Sequence, residues 1–304
     1  MLVDKIKNRE SGIILYGITP PKKDTSPEKV QAIADTQVER LAGLGIDGLV
    51  LYDIQDEKLR TSQARPFPFM ETLDAFDYSQ NYLEALDITK IIYRAVGKYD
   101  QAELSQFLQA VSPREQLTVF VGAAAKSQAV TLSMDEAYAL RTRVNPDVLL
   151  GGVTIPERHQ SKGDEHLRVF HKMKQGCSFF VSQGVYDVNA SKNLLSEYYY
   201  YGLEHHIPLV PILFTLTPCG SPKTLAFMKW LGIHVPKWLE NELIHAEDIL
   251  QTSVDVAEQN WLELKSFADA KGIPIGCNIE SVAIRKVEID ASIALLKRVQ
   301  KSLK

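Results

Sequence analysis

The sequence predicts a (β/α)8 barrel. Eight short apolar runs alternate with helical stretches in units of roughly 30–40 residues, the count and length of such a barrel. The runs are continuously apolar, as in parallel strands buried on both faces, where a half-exposed sheet would alternate. No Gly-x-Gly-x-x-Gly follows the first run, which removes the main argument for a doubly wound open sheet. At 304 residues, 45% hydrophobic and 24% charged, the chain can bury one large core. It reads as a single barrel domain over 1–304, with an insertion at 56–88 after the second strand.

The elements follow in order. Gly12 to Thr19 is the first strand and stops at Pro20-Pro21. Ser26-Pro27-Glu28 then supplies an N-cap with proline at the first helical position, and an amphipathic run continues to Ala42. Gly48 to Ile54 is the second strand, Lys90 to Val96 the third and Leu117 to Gly122 the fourth. Helices open near Gln101 and near Ser133. Asp147 to Ile155 is the fifth strand, followed by a helix through Glu165 to Lys174. Ser178 to Val185 is the sixth, followed by a helix over Asn189 to Glu204. Pro208 to Leu216 is the seventh strand, with a long helix from Glu247 to Ala270. Pro274 to Ile279 is the eighth, and a helix to Ser302 closes the chain.

A net charge of -4 gives no global basic field for nucleic acid. No apolar run approaches the ~18 residues that span a membrane. Met1 to Glu10 is charged and lacks the apolar centre of a secretory signal. The three cysteines, Cys177, Cys219 and Cys277, are far apart and form no CxxC pair, so a zinc site of that type is not expected. The low, odd count suits buried thiols in a cytoplasmic protein.

In a barrel of this type, ligands bind at the C-terminal ends of the strands. Those ends collect Tyr52, Asp53, Gln55 and Asp56 from the second strand, with Arg60 and Arg65 beyond. They add Arg94 and Lys98 from the third, Gly122 to Ser127 from the fourth, and Glu157, Arg158 and His159 from the fifth. Gln183 and Tyr186 come from the sixth; Asn278, Glu280 and Ser281 from the eighth. Asp53 and Asp56 either cap a turn or face a ligand. Gly122 to Ser127 is either a small-residue loop or a cradle of backbone amides for phosphate. Glu280, a carboxylate ending a buried strand, calls for a functional reason. Arg65-Pro66-Phe67-Pro68-Phe69 is a rigid aromatic loop expected near the mouth. The run Tyr198 to Tyr201 covers a helical turn and suggests core packing plus self-association into a homo-oligomer.

Pro156-Glu157-Arg158-His159, Glu165-His166-Leu167 with Lys172 and Gly176, Phe180-Val181-Ser182-Gln183 with Asp187, Val210-Pro211, and Gly232 to Trp238 occur in this order. Together they resemble the methylenetetrahydrofolate reductase family. That resemblance implies a (β/α)8 flavoprotein that uses FAD and NAD(P)H to reduce a folate-type small molecule in one-carbon metabolism. It gives Gln183 to the folate and keeps Tyr52, and the strand-end reading adds Tyr186, Asn278, Ser281 and Arg65 as further candidate substrate contacts, although the last strand does not follow the family pattern. It gives His159, Glu165 and Lys172 to the flavin nucleotide, with Gly122 and Tyr93 on the flavin side. The chain also departs from the family pattern. The glutamate expected to protonate the folate falls on Gly17, and the strand-four aspartate on Ala123. A general acid is worth typically 10²–10⁴ in rate, and glycine supplies none. Glu280 and Asp53 are the candidate substitute acids. The alternative is a folate- or nucleotide-binding protein without the redox step, acting with a partner or in one-carbon transfer.

Overall fold

The computed structural model describes residues 1–57, 61–123 and 128–303. Arg60 and Ala124 to Ser127, named above, lie outside them. The strands are β1 (Ile14–Ile18), β2 (Gly48–Leu51), β3 (Thr89–Ala95), β4 (Gln116–Val121), β5 (Leu150–Thr154), β6 (Cys177–Gly184), β7 (Ile212–Leu216) and β8 (Ile275–Glu280). They close in sequence order into a barrel, the expected fold. Each strand is almost wholly buried along its length, which is why these segments read as unbroken apolar runs.

The chain divides into two compact units. One comprises Met1–Val3, Leu15–Ser62 and Pro68–Gly151; the other comprises Asp4–Ile14, Gln63–Phe67 and Gly152–Lys304. The first unit carries α2 (Pro27–Leu41), α3 (Ala75–Tyr82), α4 (Gln101–Ala110) and α5 (Met134–Val144). The short α1 (Leu2–Lys7) opens the chain. Its sequence looked merely charged, yet its apolar stripe of Leu2, Val3 and Ile6 is buried.

Helix starts follow local chemistry. Asp100 with Glu103, and Ser133 with Glu136, form reciprocal capping boxes, each cap worth about 1 kcal/mol. Helix α3, within the insertion, is capped by Asp74, which accepts the Phe76 and Asp77 N–H groups. Asp74 also pairs with Arg94 of β3 (3.2 Å from Nη2), whose guanidinium lies 4.0 Å from the Phe107 ring centre. Helix α3 is therefore tied to β3 by a partly buried ion pair, and the Arg94 charge holds the Asp74 carboxyl below the usual range against the cost of its burial.

The second unit carries α6 (Pro156–Lys162), α7 (Glu165–Lys174), α8 (Val188–Glu204), α9 (Pro222–Trp230), α10 (Lys237–His245), α11 (Ile249–Asp269) and α12 (Lys286–Ser302). One helix was expected after β5, and two form. Pro156 starts α6, and Gly163, at φ 69°, ends it in the left-handed conformation that glycine adopts without penalty. The aromatic loop packs on α9. Phe67 meets Phe227 edge-on at 5.3 Å, and the Arg65 guanidinium lies 5.0 Å from the Trp230 ring centre. In the tyrosine run, Tyr198 is buried and hydrogen-bonded to Val210, whereas Tyr200 is exposed. The three cysteines are buried and form no disulfide. Among the described residues, no helix is long and apolar enough to cross a membrane.

Candidate functional site

In the first unit the chain beyond β2 is a latch. Asp53 accepts the Ala95 N–H and the Tyr99 hydroxyl, both at 2.8 Å, and pairs with the Lys98 ammonium. A carboxylate holding three donors from one short segment joins the ends of β2 and β3. Tyr52 lies edge-on to Tyr93 of β3 at 4.9 Å. A Cβ at Gly17 would sit 2.8 Å from Cε2 and 2.9 Å from the hydroxyl of Tyr52. The place where the resemblance expects an acid is thus filled by the Tyr52 ring. The Gly122 carbonyl accepts from the Gln55 amide at 3.1 Å.

In the second unit the polar groups gather at the ends of β5 and β6. The β6–β7 register pairs Val181 with Leu213 and then Gly184 with Thr215. Three steps on β6 oppose two on β7, so β6 carries one extra residue. Such bulges re-aim side chains and occur at barrel rims and beside active sites. The Ser182 hydroxyl repairs the interrupted ladder by accepting the Thr215 N–H at 2.9 Å, and the Thr215 hydroxyl donates to the Ser182 carbonyl at 2.7 Å. Asn278, on β8, donates to that Thr215 hydroxyl at 3.1 Å. Asn278 is fully buried, and it reaches the bulged stretch of β6 through Thr215.

Gln183 lies within the bulge, half-buried, and its amide nitrogen donates to the Leu231 carbonyl at 2.8 Å. Tyr186 is buried and donates to the Thr217 carbonyl at 2.7 Å; burial raises its pKa well above the usual value. Asp187 caps α8 with one oxygen, accepting the Asn189 and Ala190 N–H groups. Its other oxygen lies 3.7 Å from Nε2 of His234. Glu280 ends β8 half-buried, and the Ser281 hydroxyl donates to the Ala283 carbonyl at 2.6 Å.

Glu165 is 0% exposed. It accepts the Ile155 N–H at 2.9 Å and the Thr154 hydroxyl at 3.2 Å, and it pairs with Arg168 and Arg158. The Lys172 ammonium donates to the Val153 carbonyl at 2.6 Å, and burial lowers its pKa. His159 is buried, with its ring edge-on to His166 at 5.3 Å. Of the groups that the resemblance gives to a flavin nucleotide, Glu165 and Lys172 are turned into the protein and engaged there. The buried Nδ1 of His159 has no hydrogen-bond partner among the described residues.

Glu157, at the start of α6, is the group that sequence reasoning set in the ring without singling out. Both of its carboxylate oxygens are sealed from solvent, with no hydrogen-bond partner among the described residues. Burial pushes its pKa up to about 8; its own backbone N–H opposes the rise, and the charges of Asp187 and Glu165 add to it. At neutral pH Glu157 is therefore mostly a neutral carboxylic acid, able to donate and accept at once. Its one sequence signal was Pro156, which fixes a carboxylate at the first turn after β5. Among the described residues, no cluster of His, Cys, Asp or Glu is arranged to hold a metal ion.

No family model matches the chain, and no curated protein does. Among solved structures, a protein from Clostridium thermocellum is 53% identical over 99% of this chain and 100% of its own, with a TM-score of 0.89. It is described as binding two copies of 5-methyl-5,6,7,8-tetrahydrofolic acid. A GH10 endoxylanase from a sugarcane soil metagenome is 8% identical over 92% of this chain and 88% of its own, with a TM-score of 0.51, and shares the fold alone.

Proposed function

This chain belongs to the same family as the Clostridium thermocellum protein, and on that premise we propose that it binds a reduced folate of the 5-methyltetrahydrofolate class. The observation that carries the reading is identity of 53% over the full length of both chains. The chemistry at the ends of β5 and β6 supports it. A reduced pterin presents ring N–H and amino donors beside a carbonyl acceptor. Glu157 offers a neutral carboxyl and Gln183 a half-buried amide on a re-aimed strand end. That set matches a mixed donor and acceptor edge better than it matches a purely anionic ligand.

The function is binding, or one-carbon transfer with a partner, without a flavin step. Three features motivate this choice. The expected acid is absent at Gly17, its place is filled by Tyr52, and Glu165 and Lys172, expected to meet a flavin nucleotide, are engaged internally.

Titration calorimetry with 5-methyltetrahydrofolate tests the reading. Saturable binding is expected, and Gln183→Ala weakens it about tenfold, or ~1.4 kcal/mol. Absence of any binding by the purified protein would overturn the proposal. A flavin absorption band in the purified protein would favour the redox reading instead.

A further inference from the structure

A second feature of the same unit lies at the N-terminal ends of β6 and β7, away from the ends that carry Glu157 and Gln183. A cleft of about 400 Å³ opens there, within the size range of small-molecule sites. One wall is apolar, formed by Phe170, Met173 and Ile207 among others. Three cations line it, Lys7, Arg9 and Lys174, and no carboxylate does.

This is unusual for a chain of net charge -4. None of the three cations makes a salt bridge among the described residues, although pairs such as Lys192 with Glu263 form elsewhere in the same unit. Helix ends explain part of the pattern, since Lys7 closes α1 and Lys174 closes α7, and cations are favoured at helix C-termini. That account leaves Arg9 unexplained. Arg9 has φ 56°, in the left-handed region that ordinarily takes glycine or asparagine. His206, at φ 54°, directly precedes Ile207 of the apolar wall. These are the two non-glycine residues with positive φ among the described residues, and both flank this cleft. Backbone strain of this kind concentrates at functional sites.

We propose that this cleft is a second ligand site, which takes an aromatic molecule carrying carboxylates, namely a second molecule of reduced folate. The ring system would lie on Phe170 and Met173, and the glutamyl carboxylates would meet Lys7, Arg9 and Lys174. The proposal rests on the folate reading above. It gives a place to a second ligand copy, as the Clostridium thermocellum protein is described as binding two copies. The N-terminal face of a barrel is not where barrel chemistry occurs, so this site holds or senses ligand without transforming it.

Calorimetric titration of the full chain with 5-methyltetrahydrofolate decides the matter. Wild type is expected to bind two equivalents. Lys7→Gln with Lys174→Gln is expected to bind one, and so is Arg9→Gly, because glycine keeps the left-handed backbone and removes only the charge. Gln183→Ala is expected to weaken the other equivalent and leave this one intact. The cleft equivalent should also weaken as salt is raised, since exposed charges are screened over about 10 Å at 0.1 M. All three cations are exposed, so the variants should keep the wild-type circular dichroism spectrum. Two equivalents retained by both cation variants would overturn the cleft site and leave the folate reading standing. A single wild-type equivalent that both cation variants keep would do the same. No binding by wild type would overturn both.

Discussion

Glu157→Gln is expected to stabilise the protein at alkaline pH and to leave it nearly unchanged in acid. The unfolded chain ionises this carboxyl near the usual 4.5, whereas the folded protein holds the proton up to about 8. The raised folded-state pKa fixes the sign. The contribution of Glu157 to stability is fully present below 4.5 and is lost as pH rises through 8. Over that interval the loss is on the order of 5 kcal/mol. It arises because an ionised Glu157 would be buried, with the charges of Asp187 and Glu165 adding to the cost. Glutamine has nearly the same shape and no charge to bury, so its stability does not follow this curve. In a domain of this size, about 5 kcal/mol corresponds to a melting-temperature difference on the order of 10 °C. Thermal melts of both proteins across the range from acid to alkaline pH measure it. Parallel curves for wild type and variant would show that Glu157 ionises normally.

Gly17→Ala is expected to lower stability by about 2 kcal/mol, within the range for overpacking a filled site. The added Cβ would lie 2.8 Å from the Tyr52 ring, which is itself packed on Tyr93. Tyr52→Ala removes the obstruction. The double variant should therefore be more stable than the sum of the two single effects allows, by a coupling of about 1 kcal/mol or more. Denaturant midpoints for the four proteins supply the cycle. Strict additivity would mean that Tyr52 moves aside at no cost. Gly17→Glu, which reinstates the residue of the reductase pattern, should cost more than alanine, because its longer side chain must displace the same ring. The exchange at position 17 is thus coupled to Tyr52, and a general acid cannot be regained there by one substitution.

Much of the fold was legible because its rules are local. Capping boxes at Asp100 and Ser133 and the Ser26-Pro27 start lie within four residues of sequence. Less was legible where a few residues decide. Helix α6 is only seven residues long, too short for a periodic pattern, and its boundaries rest on Pro156 and Gly163. The bulge in β6 leaves no mark in composition. It depends on Ser182 meeting Thr215, 33 positions away.

The ring of residues at the strand ends could be drawn from the chain alone, but the roles within it could not. Asp53 and Glu157 are both carboxylates just beyond a strand. One holds three donors; the other holds none among the described residues. By itself the sequence determined the barrel and its strand order, because burial on both faces and helix signals are written residue by residue. Only the tertiary structure decided which carboxylate keeps its proton, which cations are left without a counter-charge, and that Tyr52 fills the place of an absent acid. Those outcomes depend on solvent exclusion and on partners brought together by folding, and neither is encoded in any one stretch of the chain.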